Sequence, residues 1–234
     1  MVRSRRWLLG ASLLACLALA APASATTRTV STTADSGGGS LRATVAASGN
    51  GDKVVVPAGT YTLTSAQIPI AKSIEVEGAG SGSTTIAGNG ADRIFDLQNT
   101  GAVKISKLAL DIRSTAHGGV IYGGGIRTDA ASPLTLAGVR ISGVANVSGG
   151  NNQSGGVLYG AAIYALGNLT LTGTTIDGVR GLSTGGSGTG GGGGVIYGTV
   201  YAGKDLSIAG SSIGSGVLDA HATGNTHNGG VIYG

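Results

Sequence analysis

Cysteine is almost missing from this 234-residue chain: Cys16 is the single copy, and the single tryptophan, Trp7, lies near it. Both fall in a stretch read below as a removable leader, so the mature chain has neither. Without cysteine there are no disulfides and no thiol nucleophile, and stability must come from packing. Proline is scarce, with four copies. After the leader no apolar run approaches the roughly 20 residues that span a bilayer. No coiled-coil heptad, no long block of one charge and no adjacent pair of aspartates occurs. Of the 15 Lys+Arg, three precede residue 26, so 12 basic residues face 11 acidic ones in the mature chain. A balance near +1 gives no basis for a nucleic-acid partner or a charged membrane surface, although the precursor's pI is about 9.4.

The leader is marked by Arg3, Arg5 and Arg6 before an apolar run from Trp7 to about Ala20, and by the small-x-small site Ala23-Ser24-Ala25. This pattern predicts a signal peptide over residues 1–25 and an exported protein, at the cell surface, in the outer membrane or in the medium. An N-terminal membrane anchor is the alternative, but the run is short for it. Ser4-Arg5-Arg6-Trp7-Leu8 partly resembles a twin-arginine signal, and Leu13-Leu14-Ala15-Cys16 weakly resembles a lipoprotein cleavage box. The small-x-small site downstream is the better match.

Glycine, by contrast, is abundant, with 46 copies. It punctuates a phrase that recurs four times: Gly118-Gly119-Val120-Ile121-Tyr122-Gly123, then residues 155–160 with Leu158 for the isoleucine, then 193–198 and 229–234. The valines at 120, 157, 195 and 231 are 37, 38 and 36 residues apart. That period marks stacked repeats, none of which can bury its apolar face alone. After each tyrosine follow an apolar residue (Ile126, Ile163, Val200), a Leu-x-apolar step (Leu134/Leu136, Leu169/Leu171, Leu206/Ile208), a glycine (Gly138, Gly173, Gly210) and an isoleucine (Ile141, Ile176, Ile213). Period-two steps put both apolar side chains on one face, as in a strand. From that isoleucine to the next phrase, for example residues 142–154 or 177–192, the chain is rich in Gly, Ser, Thr and Asn. These segments are expected to be the variable loops.

Earlier in the chain, Ser40 to Ala47 is the one plausible helix, with Ser40 as N-cap, Leu41 and Val45 on one face, and Gly49-Asn50-Gly51 as its stop. It is expected to lie as a lid over the first coil. Strands then begin at Val54-Val55-Val56 and run through Tyr61, Leu63, Ile68, Ile70, Ile74, Val76, Ile86, Ile94 to Leu97, Val103, Ile105, Leu108 and Leu110. Glu75 and Glu77 face out. The count is about two coils here, three full repeats after, and a sixth coil begun at Val231. At about 4.8 Å per layer the stack is on the order of 25 Å long.

Asp35 to Arg42, Gly51-Asp52-Lys53-Val54 and Val56-Pro57-Ala58-Gly59-Thr60-Tyr61 resemble the N-terminal portion of bacterial right-handed parallel β-helix proteins. The Gly-Gly-apolar-Ile-Tyr repeats resemble those of polymorphic outer-membrane proteins and related surface adhesins within the pectate-lyase-like superfamily. The resemblance covers essentially the whole mature chain. It implies an all-β, right-handed parallel β-helix with a short N-terminal capping helix. Ala43 stands where the family's motif usually continues with glutamate, so the helix has no capping-box partner, and the family's membrane-inserting barrel is absent from these residues.

Sugar-cleaving members of that superfamily cluster several acids on adjacent coils, to hold calcium or to act as acid and base. Here Asp129, Asp177, Asp205 and Asp219 share no aligned position and read as turn carboxylates. His117, His221 and His227 are expected in loops, without the close pairing with acids or cysteines that a metal site requires, so no metal is expected. Residues 185–194 are nearly all glycine but lack the lysine of a phosphate cradle and the aspartate of a calcium repeat, and read as a flexible loop. No catalytic residue and no cofactor is expected.

What remains is a column of tyrosines, Tyr122, Tyr159, Tyr197 and Tyr233, and a second, partial column of Tyr164 and Tyr201 continued by Arg127. With the isoleucines inward, period two turns these rings outward. They form either an aromatic ladder that braces the strands or a flat amphipathic platform for a glycan or protein partner. The expectation is therefore an exported, non-catalytic surface protein of structural or adhesin type. The alternatives are a polysaccharide-binding module and a polysaccharide lyase or hydrolase. In domain terms, residues 26–51 form an N-terminal cap and 52–234 the solenoid, with repeats of about 37 residues from 118. Its last coil stops within the phrase, so Ile196, Leu206, Ile208 and Ile213 are expected to be partly uncovered unless further chain or another protein covers them. The expected partner is a glycan or a ligand on a host or neighbouring cell.

Overall fold

The computed structural model describes residues 25–98, 101–117, 119–149, 153–186, 192–214, 216–221 and 230–233. The expected leader, His227 and the centre of the glycine run lie outside them. The described chain is an all-β parallel solenoid, a β-helix, in which every strand pairs in parallel with its counterpart one coil away.

Four sheets run along it. Sheet I stacks Thr27–Thr29, Lys53–Val56, Glu75–Gly78, Val103–Ser106, Leu134–Ala137, Leu169–Thr172 and Leu206–Ala209. Sheet II stacks Gly59–Thr62, Thr84–Ala87, Ala109–His117, Arg140–Ser148, Thr175–Thr184 and Ser212–Ile213, with Val217–His221 also pairing to Thr175–Thr184. Sheet III stacks Val120–Tyr122, Val157–Tyr159, Val195–Tyr197 and Val231–Tyr233. Sheet IV stacks Ile68–Ile70, Phe95–Leu97, Ile126–Thr128, Ile163–Ala165 and Val200–Ala202.

Register converts the sequence period into continuous apolar columns. Val54, Val76, Ile105, Leu136, Leu171 and Ile208 are successive partners in sheet I. In sheet II the column is Tyr61, Ile86, Leu110, Ile141, Ile176 and Ile213, so the three repeat isoleucines do form one inward ladder. Phe95, Ile126 and Ile163 line sheet IV, and Ile121, Leu158, Ile196 and Ile232 line sheet III. Away from the last coil these side chains are buried. Each fully buried Leu or Ile contributes about 1.5–3 kcal/mol, which is how a chain without disulfides holds together.

The segments expected to be loops begin instead as strand. Arg140–Ser148 and Thr175–Thr184 extend sheet II well past the closing isoleucine. Their inward residues are small or short: Ala145 and Val147 in one, Val179, Gly181 and Ser183 in the other. Small inward residues let this flank of the coil narrow, and they disguise the strand period among Gly, Ser and Asn. A second correction concerns the last coil. Ile196 is fully buried, because Ile232 stacks on it, whereas Leu206, Ile208 and Ile213 are 43%, 49% and 41% exposed.

The helix is a single short element, Leu41–Ala46, started by Ser40, whose hydroxyl accepts from the Ala43 amide at 3.1 Å. Leu41 and Val45 are buried. Its flanks are tied by two carboxylates. Asp35 accepts from Arg42, from the Thr64 and Ser65 amides, and from their hydroxyls. Asp52 accepts from the Thr26 and Gly49 amides and from Arg28. Among the described residues no helix is long and apolar enough to cross a membrane.

Candidate functional site

The tyrosine strip is built by the recurring phrase. In Val120–Tyr122 the middle residue, Ile121, faces the core, so Tyr122 must face out. The next residue, Gly123, has φ +66°, and a Cβ there would collide with the Ile126 carbonyl oxygen. Gly160, at φ +61°, repeats this against Ile163. Only glycine fits a corner so tight. The corner carries the chain from sheet III to sheet IV, where Tyr164 and Tyr201 face out as partners in register.

All six tyrosines named from the sequence come together. The rings of Tyr122, Tyr159, Tyr197 and Tyr233 are parallel within 10°, with successive centroids 5.2, 4.5 and 5.0 Å apart. Tyr164 and Tyr201 stack at 4.9 Å. The second column leans on the first: Tyr164 meets Tyr122 at 4.9 Å and 56°, and Tyr201 meets Tyr159 at 5.8 Å and 84°. Burial, then the neighbouring phenols, push the Tyr159 and Tyr164 hydroxyls above their ordinary pKa.

Parallel rings this close cannot lie side by side in one plane, because their edge hydrogens would overlap; they must stack face to face with an offset. Each inner ring therefore has both faces covered by its neighbours. What the strip offers outward is a row of ring edges and hydroxyls rather than a flat pavement. Tyr122 is the first ring of sheet III among the described residues and is 36% exposed.

The second column does not stop at tyrosine. Pro69, Asp96, Arg127, Tyr164 and Tyr201 are successive register partners along sheet IV. The Asp96 carboxylate is buried; one oxygen accepts from Gln67 Nε2 at 3.0 Å and Gln98 Nε2 at 2.5 Å. Its other oxygen lies 3.5 Å from Arg93 and 3.4 Å from Arg127. Arg93 also donates from Nε to the Tyr122 carbonyl at 3.1 Å, fastening the first strand of sheet III. Asp96 and Arg93 escape a repeat search, because the first coils lack the phrase. Aligning the triplets Phe95-Asp96-Leu97, Ile126-Arg127-Thr128 and Ile163-Tyr164-Ala165 by their apolar flanks would have placed them in the column.

The other candidates stay apart. Asp129 folds back on a turn, accepting from the Ala131 amide and the Ser132 hydroxyl. Asp219 pairs with His221 at 2.9 Å. Asp177 sits at the irregularity in the pairing of Arg140–Ser148 with Thr175–Thr184, and the Asp205 carbonyl accepts from the Leu169 amide. His117 ends the strand Ala109–His117. Among the described residues no three His, Cys, Asp or Glu side chains gather closely enough to hold a metal ion.

No family model matches the chain, and no curated protein is similar to it.

Proposed function

We propose that this is an exported, non-catalytic surface protein of adhesin type, in which the solenoid is a rigid spacer and the tyrosine strip its contact face for glycans. The observation that carries the reading is the collection of six tyrosines into one outward strip by strand register. A brace for the strands alone would need one column. The second column doubles the width of the strip and brings an arginine to its end. The charged N-terminal leader and small-x-small site support export. The right-handed crossovers nearly universal among parallel strands support a right-handed coil.

In the same reading the Leu41–Ala46 helix closes the first coil, since an open stack of parallel strands invites pairing with another chain. The opposite face, with Leu206, Ile208, Ile213 and Val217 exposed, is where a further layer of strand covers the solenoid, from continuing chain or from a partner. The test is binding of the mature chain to an immobilised glycan panel, together with an assay for released sugar. Binding without release, lost in a Tyr122→Ala/Tyr164→Ala variant that keeps its β-sheet circular dichroism, is the expected result. Release of product would replace the reading with an enzyme, and no binding to any glycan would leave the strip as a brace.

A further inference from the structure

Resting on that reading, we propose that the Arg127 end of the strip is a subsite for a sugar carboxylate, so that the ligand is an acidic saccharide. The sheet III and IV strands from Val120 onward contain no acidic residue and a single basic one, Arg127. The strip itself therefore carries one charge, at one end, and the carboxylate paired with it is Asp96 of the preceding coil.

Arg127 is available where its neighbours are engaged. Arg93 is committed to the Tyr122 carbonyl and to Gln67 Oε1, and Arg42 to Asp35 and the Ala66 and Gln67 carbonyls. Arg127 meets Asp96 at 3.4 Å, longer than an ordinary hydrogen bond, and its side chain is 36% exposed. Two amides already fill one oxygen of Asp96. The field of Asp92 acts on Arg93.

Geometry then fixes what can bind. Arg127 holds, beside Tyr122, the place that Tyr164 holds beside Tyr159, one coil on. The exposed first ring of the strip, Tyr122, and the guanidinium of Arg127 thus belong to one coil. A pyranose laid against that ring would bring a ring carboxylate to the planar fork of Arg127, which grips two oxygens at once. The hydroxyls of Tyr159 and Tyr164 would donate to the next sugar.

The experiment titrates the mature chain with a hyaluronan tetrasaccharide, with the same tetrasaccharide after reduction of its carboxyls to alcohols, and with a heparin-derived tetrasaccharide. The readout is tyrosine fluorescence, free of tryptophan once the leader is removed. The acid is expected to bind at least tenfold more tightly than its reduced form. Arg127→Gln should erase that difference, Arg127→Lys should keep part of it, and Arg180→Gln, an exposed site elsewhere, should leave it intact. Thermal melts check that each variant folds, and Arg127→Lys serves if Arg127→Gln does not. Equal binding of acid and reduced forms, with Arg127→Gln silent, would overturn the carboxylate subsite and leave the glycan-binding strip standing. Equal weakening by Arg180→Gln would reassign the effect to diffuse charge, and preference for the sulfated sugar alone would also overturn it. Failure of all three sugars here, together with failure of every glycan on the panel, would remove the underlying reading as well.

Discussion

The coils before residue 118 and those after it share one interior but wear different exteriors. In sheet I the outward column runs Lys53, Glu75, Lys104 and then changes to Thr135, Thr170 and Ser207. Lys104 pairs with Glu75 at 2.9 Å, Lys107 with Glu77 at 2.6 Å, and Lys53 also reaches Glu77. Sheet IV makes the same change one coil later, from Asp96 and Arg127 to Tyr164 and Tyr201. The early coils are laced by charge and the later ones by aromatic rings, while the inward columns pass through the boundary unaltered. Folding into a solenoid depends on the interior; the conditions each half tolerates depend on the exterior.

If that division is right, core truncations should be indifferent to it. Leu110→Ala in the charged half and Ile176→Ala in the tyrosine half occupy one column, and each should cost about 2–5 kcal/mol in chemical denaturation. A loss below about 0.5 kcal/mol at either site, the size of an ordinary surface change, would break the shared column.

Acid and alkali should then separate the halves. The Gly49 amide first, with Arg28 and the Thr26 amide, holds Asp52 down to about 2. Burial works against Asp35, yet the hydrogen bonds from Ser65, Arg42 and Thr64 still hold it well below the carboxylate range. Lys104 lowers Glu75. A depressed carboxylate stabilises the fold above its unfolded pKa, near 4, and that contribution fades as pH falls through the folded value. The raised phenols of Tyr159 and Tyr164 act oppositely: their contribution is full below about pH 10 and is lost as pH rises through their folded values. Denaturation midpoints measured across pH should therefore fall between about pH 4 and 2 less steeply in Asp52→Asn. Above about pH 10 they should fall less steeply in Tyr159→Phe/Tyr164→Phe. Wild-type slopes in both variants would show that neither exterior sets the tolerance.

Single outward groups should matter least. Tyr159→Leu, which keeps apolar bulk but loses stacking, should cost about 0.5–1.5 kcal/mol. Lys104→Met should cost about 0.2–1 kcal/mol and become silent in 1 M salt, where the screening length is about 3 Å. A salt-sensitive Tyr159→Leu or a salt-insensitive Lys104→Met would blur the contrast.

The repeated phrase made the later half legible from sequence, because one glycine corner and one inward isoleucine per coil set both register and facing. Tyr122, Tyr159, Tyr197 and Tyr233 could be aligned without coordinates for that reason. Two things could not. The stacking of the rings face on face depends on side-chain torsion, which a period-two rule does not specify. The extension of Arg140–Ser148 hides behind Ala145 and Gly143, because strands narrowing toward a corner select small residues and lose their hydrophobic signature. In the early half Asp96 lay unread because coils without the phrase offer no ruler for their columns.

Each corner at Gly123, Gly160 and Gly198 closes one coil against its immediate neighbours. Lys204 reaches further, its Nζ donating to the Ala130 carbonyl two coils back at 3.0 Å, whereas the corners themselves tie adjacent coils. In genetic terms the unit of about 37 residues is a cassette whose ends match: unequal recombination between two copies of the phrase would add or delete one coil cleanly. Each event would lengthen or shorten the ladder by one ring, about 4.8 Å, and an exchange between the second and third copies would leave Arg127 in place. The length of the solenoid could then change in whole coils while its inward columns stay in register.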